Sequence, residues 1–125
     1  MIALRILGGV LVLAGLVLSV APTLALDPGD APDLFEAIER HVRWGLLIGI
    51  GLLLAVRTSL RPWRVTFAHL VCWVSAGYLV ARLIGIALEG ASSGRQWLWV
   101  GVEVAICLVA GGYLVRKRDG ARGER

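Results

Sequence analysis

Four long apolar segments joined by short polar loops occupy most of this 125-residue chain. They run over about residues 2–23, 34–56, 65–88 and 97–115. A helix needs about 20 predominantly apolar residues to cross a bilayer, and a backbone within lipid must satisfy its own hydrogen bonds. The sequence therefore predicts an all-α fold: one domain over 1–125, built as an integral membrane four-helix transmembrane bundle, with a basic cytoplasmic tail at 116–125.

Composition agrees with this class. The chain is 58% hydrophobic and 18% charged, whereas soluble domains average about 45–50% apolar and about 25% charged. The basic residues cluster at segment ends without a nucleic-acid-reading motif, so we expect a lipid bilayer and no nucleic acid as partner. The two cysteines, Cys72 and Cys107, lie at matching depth in apolar segments. Buried cysteine usually acts as a small apolar residue, although a redox pair is the alternative.

The first segment carries Gly8, Gly15 and Pro22 at intervals of seven residues. This spacing keeps small residues on one helix face, where a neighbouring helix can approach closely. The alternative is a cleavable signal peptide, with Arg5 before the apolar stretch and a cleavage site at residues 23–25.

The second segment has only thirteen uninterrupted apolar residues, Trp44 to Val56, too few to cross about 30 Å at about 1.5 Å per residue. Asp33 and Glu36 have capping-box spacing, so we expect the helix to begin near Leu34 and to draw Arg43 into the membrane. Gly45 and Gly49 form a GxxxG pair. This pair predicts packing against the first helix or, alternatively, against a second copy of the chain.

Charged residues deep inside the apolar segments are the strongest functional signal. Arg82 lies eighteen residues from Arg64 and Glu103 thirteen from Arg116, which places them roughly 27 and 20 Å from that basic side. Charges at such depth usually pair and face protein. The predicted interior polar cluster or ligand site comprises Arg43, Arg82, Glu103, Glu39, Glu89 and Tyr78.

Two interpretations of this cluster stay open. It either pins three helices in register, or it lines an outward-facing cavity in which the arginines bind the anionic or carbonyl-bearing head group of a lipophilic molecule. His41 and His69 lie at opposite depths, so we predict no metal site, and no cofactor or catalytic residue is assigned.

Counting basic residues near the segment ends predicts the orientation. Most of them collect on one side, and only Arg40, Arg43 and Arg95 fall on the other. The excess of lysine and arginine marks the cytoplasmic side, so both termini are expected to be cytoplasmic.

Three motifs carry a family resemblance: the run from Arg43 through Gly45 to Leu54, the run from Gly77 through Arg82 to Glu89-Gly90, and Glu103 in the last segment. With these motifs, the whole chain resembles a bacterial family catalogued as domain of unknown function 4345 (DUF4345), and more distantly the DoxX-like four-helix proteins. The resemblance implies a small four-helix protein of the bacterial inner (cytoplasmic) membrane. The DoxX likeness implies a quinone as a candidate ligand.

These observations predict a non-enzymatic protein that binds a lipophilic molecule, either a lipid or a quinone, or that acts as an accessory subunit. In the second case its partners are other copies of itself or a larger membrane complex. The alternative is a membrane-embedded enzyme or redox protein of lipid or quinone chemistry. The sequence shows no nucleophile–base pair or nucleotide motif, and this favours the non-enzymatic prediction.

Overall fold

The computed structural model describes residues 2–21, 34–56, 63–90 and 94–124, and nearly all of them are helical. The helices are α1 (Ile2–Val20), α2 (Leu34–Val42), α3 (Gly45–Val56), α4 (Trp63–Glu89) and α5 (Gly94–Gly123). The all-α prediction is confirmed. By length and composition, α1, α4 and α5 are each apolar enough to cross a membrane.

The second predicted segment is not one continuous helix. Two helices, α2 and α3, occupy it. α2 begins at Leu34 as expected, although Asp33, its predicted cap, lies outside the described residues. Between α2 and α3, the Trp44 amide donates to the His41 carbonyl and the Leu47 amide to the Trp44 carbonyl. These bonds join residues three apart, so a tight turn interrupts the α-helical ladder.

The last helix is longer than its apolar segment. α5 begins at Gly94 and continues to Gly123, so the predicted basic tail is helical through most of its length. Helical structure there places Arg116, Lys117 and Arg118 on a continuation of the apolar helix.

α1 packs antiparallel to α3 through small residues. A Cβ added to Gly8 would lie 2.7 Å from the Ala55 amide nitrogen, and one added to Gly15 would lie 2.8 Å from that of Ile48. Both distances are too short for a side chain, so the two backbones touch. The predicted packing face on the first helix is thereby confirmed at these two glycines, while Pro22 lies outside the described residues.

The GxxxG pair contacts α4, so both predicted partners, the first helix and a second copy, are wrong. A Cβ on Gly45 would lie 2.7 Å from the Tyr78 Cα, and one on Gly49 would crowd the Val74 backbone. Opposite them, a Cβ on Gly77 would overlap backbone atoms of both glycines. The contact with α1 falls instead to Gly51, which lies on the other side of α3.

α4 and α5 are also antiparallel. The Cys72 thiol faces the Cys107 carbonyl at 4.0 Å, and the Cys107 thiol faces the Cys72 carbonyl at 3.6 Å, as their matching depth predicted. The long helices lie in the order α1, α3, α4, α5, with α2 packed against α4. Within the described chain α5 packs mainly on α4, so the arrangement is an open row of helices.

Candidate functional site

The site is built around Arg82, which lies on the most buried face of α4. Ala81, Gly77 and Gly85 share that face. Gly85 lets α2 come close, because a Cβ there would lie 3.0 Å from His41 Cβ. This close approach brings α2 to one side of the Arg82 side chain while α5 lies on the other.

Arg82 and Glu103 form a buried ion pair between α4 and α5. Arg82 Nε lies 3.2 Å from both Glu103 carboxylate oxygens, and Nη2 lies 3.0 Å from Oε1. Their side chains are 5% and 9% exposed. Both carboxylate oxygens therefore accept from the guanidinium, the geometry in which arginine binds a carboxylate most strongly.

The third guanidinium nitrogen joins α2 and the start of α5. Arg82 Nη1 donates to Glu39 and to the Gln96 side-chain oxygen. Gln96 is fully buried, and its amide nitrogen lies 3.2 Å from the Phe35 carbonyl and 3.5 Å from Glu39. We call Arg82, Glu103, Glu39 and Gln96 the arginine cluster. Through it, three helices share one hydrogen-bond network.

A second polar contact lies beside the arginine cluster. His41 is buried on α2; its Nδ1 donates to the Ser19 carbonyl at the end of α1, and its Nε2 lies 3.1 Å from Glu89 Oε1. This contact ties α1, α2 and α4 together at the end of the molecule that holds the arginine cluster, which we call the cluster end. The other end, with Arg64 and Arg116 to Arg118, is the basic end.

A cleft of about 480 Å³ opens beside the arginine cluster. Its lining consists of Phe35, Glu39, Val42, Tyr78, Arg82, Arg95, Trp99 and Glu103. Glu39, at 33% exposed, is the most accessible of the ion-paired carboxylates in it. The Arg95 guanidinium stacks on the Phe35 ring, 4.2 Å from its centroid, as cations do on aromatic faces.

Five of the six predicted site residues lie at the cluster end. Arg82, Glu103 and Glu39 are bonded together, Tyr78 lines the cleft, and Glu89 pairs with His41.

Arg43 does not join the predicted cluster. Its side chain is exposed, and it forms no ion pair with any residue that the structure describes. The prediction assumed an uninterrupted helix, whereas α2 ends just before Arg43. The Arg43 amide still donates to the Glu39 carbonyl at 3.1 Å, but the exposed Arg43 side chain takes no part in the network around Arg82.

Sequence reasoning missed Gln96 and the inward position of His41. Gln96 falls outside the predicted apolar segment 97–115, yet it lies seven residues before Glu103 and so on the same face of α5. That heptad spacing was the available signal. His41 had a similar signal, because it follows Ile38 by three residues on the amphipathic helix α2.

The chemistry of the arginine cluster follows from its bonds. Every guanidinium nitrogen of Arg82 is committed to a protein acceptor, so the arginine has little capacity to bind an anionic head group. Within the described residues, no group of three or more His, Cys, Asp and Glu side chains is placed to hold a metal ion. The groups in the cleft that remain available to a ligand are the Glu39 carboxylate, the Tyr78 hydroxyl, the Arg95 guanidinium and the rings of Phe35 and Trp99.

No protein-family model matches this sequence, and neither a curated protein nor a solved structure is significantly similar to it.

Proposed function

We propose that this protein is a membrane protein that binds a lipophilic molecule with an uncharged polar head group, without chemical conversion. The observation that carries the proposal is the cleft beside the arginine cluster, which combines hydrogen-bonding groups with the aromatic surfaces of Phe35 and Trp99. Its volume of about 480 Å³ falls within the range of about 300–1,000 Å³ typical of small-molecule sites.

The charges lining the cleft favour a neutral head group. Two arginines, Arg82 and Arg95, face two glutamates, Glu39 and Glu103, so their formal charges cancel. A carbonyl or hydroxyl head can accept from Arg95 or Tyr78, and a hydroxyl can also donate to Glu39, without leaving a charge unpaired. A quinone or a neutral lipid has this chemistry, and Trp99 offers a flat surface to a ring or an acyl chain.

The setting we propose is a bacterial inner membrane, with both termini cytoplasmic and the cluster end facing outward. The excess of basic residues at the opposite end supports this orientation. The resemblance to the DUF4345 family, carried by Arg82, Glu89-Gly90 and Glu103, supports the same setting and is itself part of the proposal.

Native mass spectrometry of protein extracted from its own membrane in mild detergent tests the binding. We expect a bound small molecule whose occupancy falls in Tyr78→Phe and in Arg95→Gln, because each variant removes a hydrogen-bond donor at the cleft. Arg122→Gln is the matched control for Arg95→Gln, since Arg122 lies in the last turn of α5, far from the cleft. Equal occupancy in all four proteins would refute the binding proposal.

A second candidate is an accessory subunit, favoured by the outward face of α5. Leu98, Gly101, Leu108 and Gly112 share this face and are exposed. A Cβ on Gly101 or Gly112 would meet no atom within 4 Å in the described chain, unlike the packed glycines of α1 and α3. Small residues on such a face permit close contact with another transmembrane helix.

The same mass spectra separate the two candidates. A subunit, whether of a homo-oligomer or of a larger membrane complex, retains a stoichiometric protein partner that Gly101→Leu displaces. Gly111→Leu is the control, because Gly111 is equally uncrowded but lies off this face. Recovery of a lone chain in all three proteins would exclude the subunit role.

The enzymatic alternative has less support. Such chemistry needs an acid or base, and the buried carboxylate Glu103 has both of its oxygens bonded to Arg82. The Glu103 side chain is also only 9% exposed, so a substrate has little access to it. It is therefore poorly placed to exchange protons with a substrate.

A further inference from the structure

A second cleft, remote from the arginine cluster, lies between α4 and α5 near the basic end. It measures about 600 Å³. Its lining residues are Trp63, Arg64, Phe67, Ala68, Val71, Ala105, Ile106, Val109, Ala110 and Tyr113. We call it the α4–α5 groove. Nearly all of this lining is apolar, and its three alanines, which we call the alanine floor, leave the most room because their side chains are the smallest.

The polar groups of the groove are concentrated where α4 begins. Trp63 and Arg64 are the first two residues of that helix, and Tyr113 lies opposite them on α5. Tryptophan and tyrosine prefer the level of lipid head groups. The groove thus has a head-group end and, running towards Ala105 and Ile106, an apolar end about two helical turns deep.

The head-group end of the groove carries positive charge, and none of the residues that line the groove is acidic. The Arg64 side chain is exposed and pairs with no carboxylate among the residues that the structure describes. Just beyond Tyr113 on α5 follow Arg116, Lys117 and Arg118, all exposed. This charge is complementary to a phosphate and disfavours a cationic or strongly basic partner.

From this combination we infer that the α4–α5 groove is a binding site for one anionic phospholipid. The phosphate sits against Arg64 at the level of Trp63 and Tyr113, and one acyl chain lies along the alanine floor between Phe67 and Val109. Arginine suits the phosphate because its N–H groups match the spacing of phosphate oxygens. This site goes beyond the proposed function, since it lies at the opposite end of α4 from the arginine cluster.

Lipid titration monitored by native mass spectrometry tests the site. Delipidated full-length protein in mild detergent is titrated with phosphatidylglycerol and, separately, with phosphatidylcholine of the same acyl chains. We expect the first phosphatidylglycerol to bind several-fold more tightly. In Arg64→Gln that preference should fall about five-fold, the contribution of one basic residue near anionic lipid. Arg122→Gln, a loss of the same charge farther along α5, should retain the preference.

A second variant tests the groove apart from the charge. Ala105→Leu fills the floor and should weaken binding of both lipids, whereas Ala87→Leu, an equal enlargement at an exposed position near the cluster end, should not. Melting temperatures of all variants are compared to confirm folding. The inference is overturned if phosphatidylglycerol shows no preference over phosphatidylcholine, if Arg122→Gln matches Arg64→Gln, or if Ala105→Leu binds lipid as the wild type does.

Discussion

A single guanidinium organises the polar interior of this protein. Arg82 bonds to two carboxylates and one side-chain amide that come from α2 and α5. Charges taken out of water are tolerated only when paired and hydrogen-bonded, and Arg82 meets both conditions. The network is interdependent, because each acceptor relies on the same donor group.

The interdependence predicts that Arg82→Ala is strongly destabilising. It leaves the buried Glu103 carboxylate without its partner, and the loss of one member of a buried pair costs about 3–5 kcal/mol in free energy of unfolding. Thermal unfolding in detergent measures the effect.

Arg43→Ala is the matched control, because both arginines were predicted for the cluster and only Arg82 joins it. The Arg43 variant should stay within about 0.5 kcal/mol of the wild type, as surface substitutions usually do. Similar melting temperatures for the two variants would contradict the observed bonding pattern.

At the scale of the helices, glycine determines how closely neighbours pack. α3 carries glycines on two sides, with Gly45 and Gly49 against α4 and Gly51 against α1. Because lipid tails are as apolar as leucine, transmembrane helices associate through close packing rather than through exclusion of water. The glycines of α3 therefore stabilise the centre of the row.

Gly77→Ala should separate α3 from α4. The added methyl group would overlap backbone atoms of Gly45 and Gly49. Backbone atoms cannot move aside as the end of a flexible side chain can. We expect a loss of about 1–3 kcal/mol, as for other overpacked sites, and a lower melting temperature in detergent.

Gly101→Ala tests whether the effect is steric. Its methyl group would meet no other described atom within 4 Å, and alanine favours helix by about 1 kcal/mol over glycine. This variant should therefore be neutral or slightly stabilised. A destabilisation equal to that of Gly77→Ala would show that lost flexibility, and not the close contact, is responsible.

At the scale of the whole molecule, the interrupted pair α2–α3 connects α1 to α4. Within this pair, α3 is antiparallel to both α1 and α4. With α5 antiparallel to α4, the start of α1 and the end of α5 fall at the same end of the row.

This geometry predicts that both termini lie on one side of the membrane. Reporter fusions at residue 125 and within residues 91–93 should report opposite sides, with the terminal fusion cytoplasmic. A fusion after residue 56 tests whether α2–α3 crosses the membrane, and we expect it to report the same side as the N-terminus. If α2–α3 did not cross, that fusion would report the side opposite to the N-terminus.

The sequence alone determined the helical class, the approximate limits of α1 and α4, and that Arg82 and Glu103 lie at similar positions along neighbouring segments. Lipid forces the backbone into helices, and the constant rise per residue converts position in the chain into depth. Only the tertiary structure decided which acceptors Arg82 binds, that Gln96 joins them and Arg43 does not, and that Gly45 and Gly49 face α4. These outcomes depend on the rotation of each helix about its axis, which for α3 and α4 is fixed by close contacts between glycines far apart in sequence.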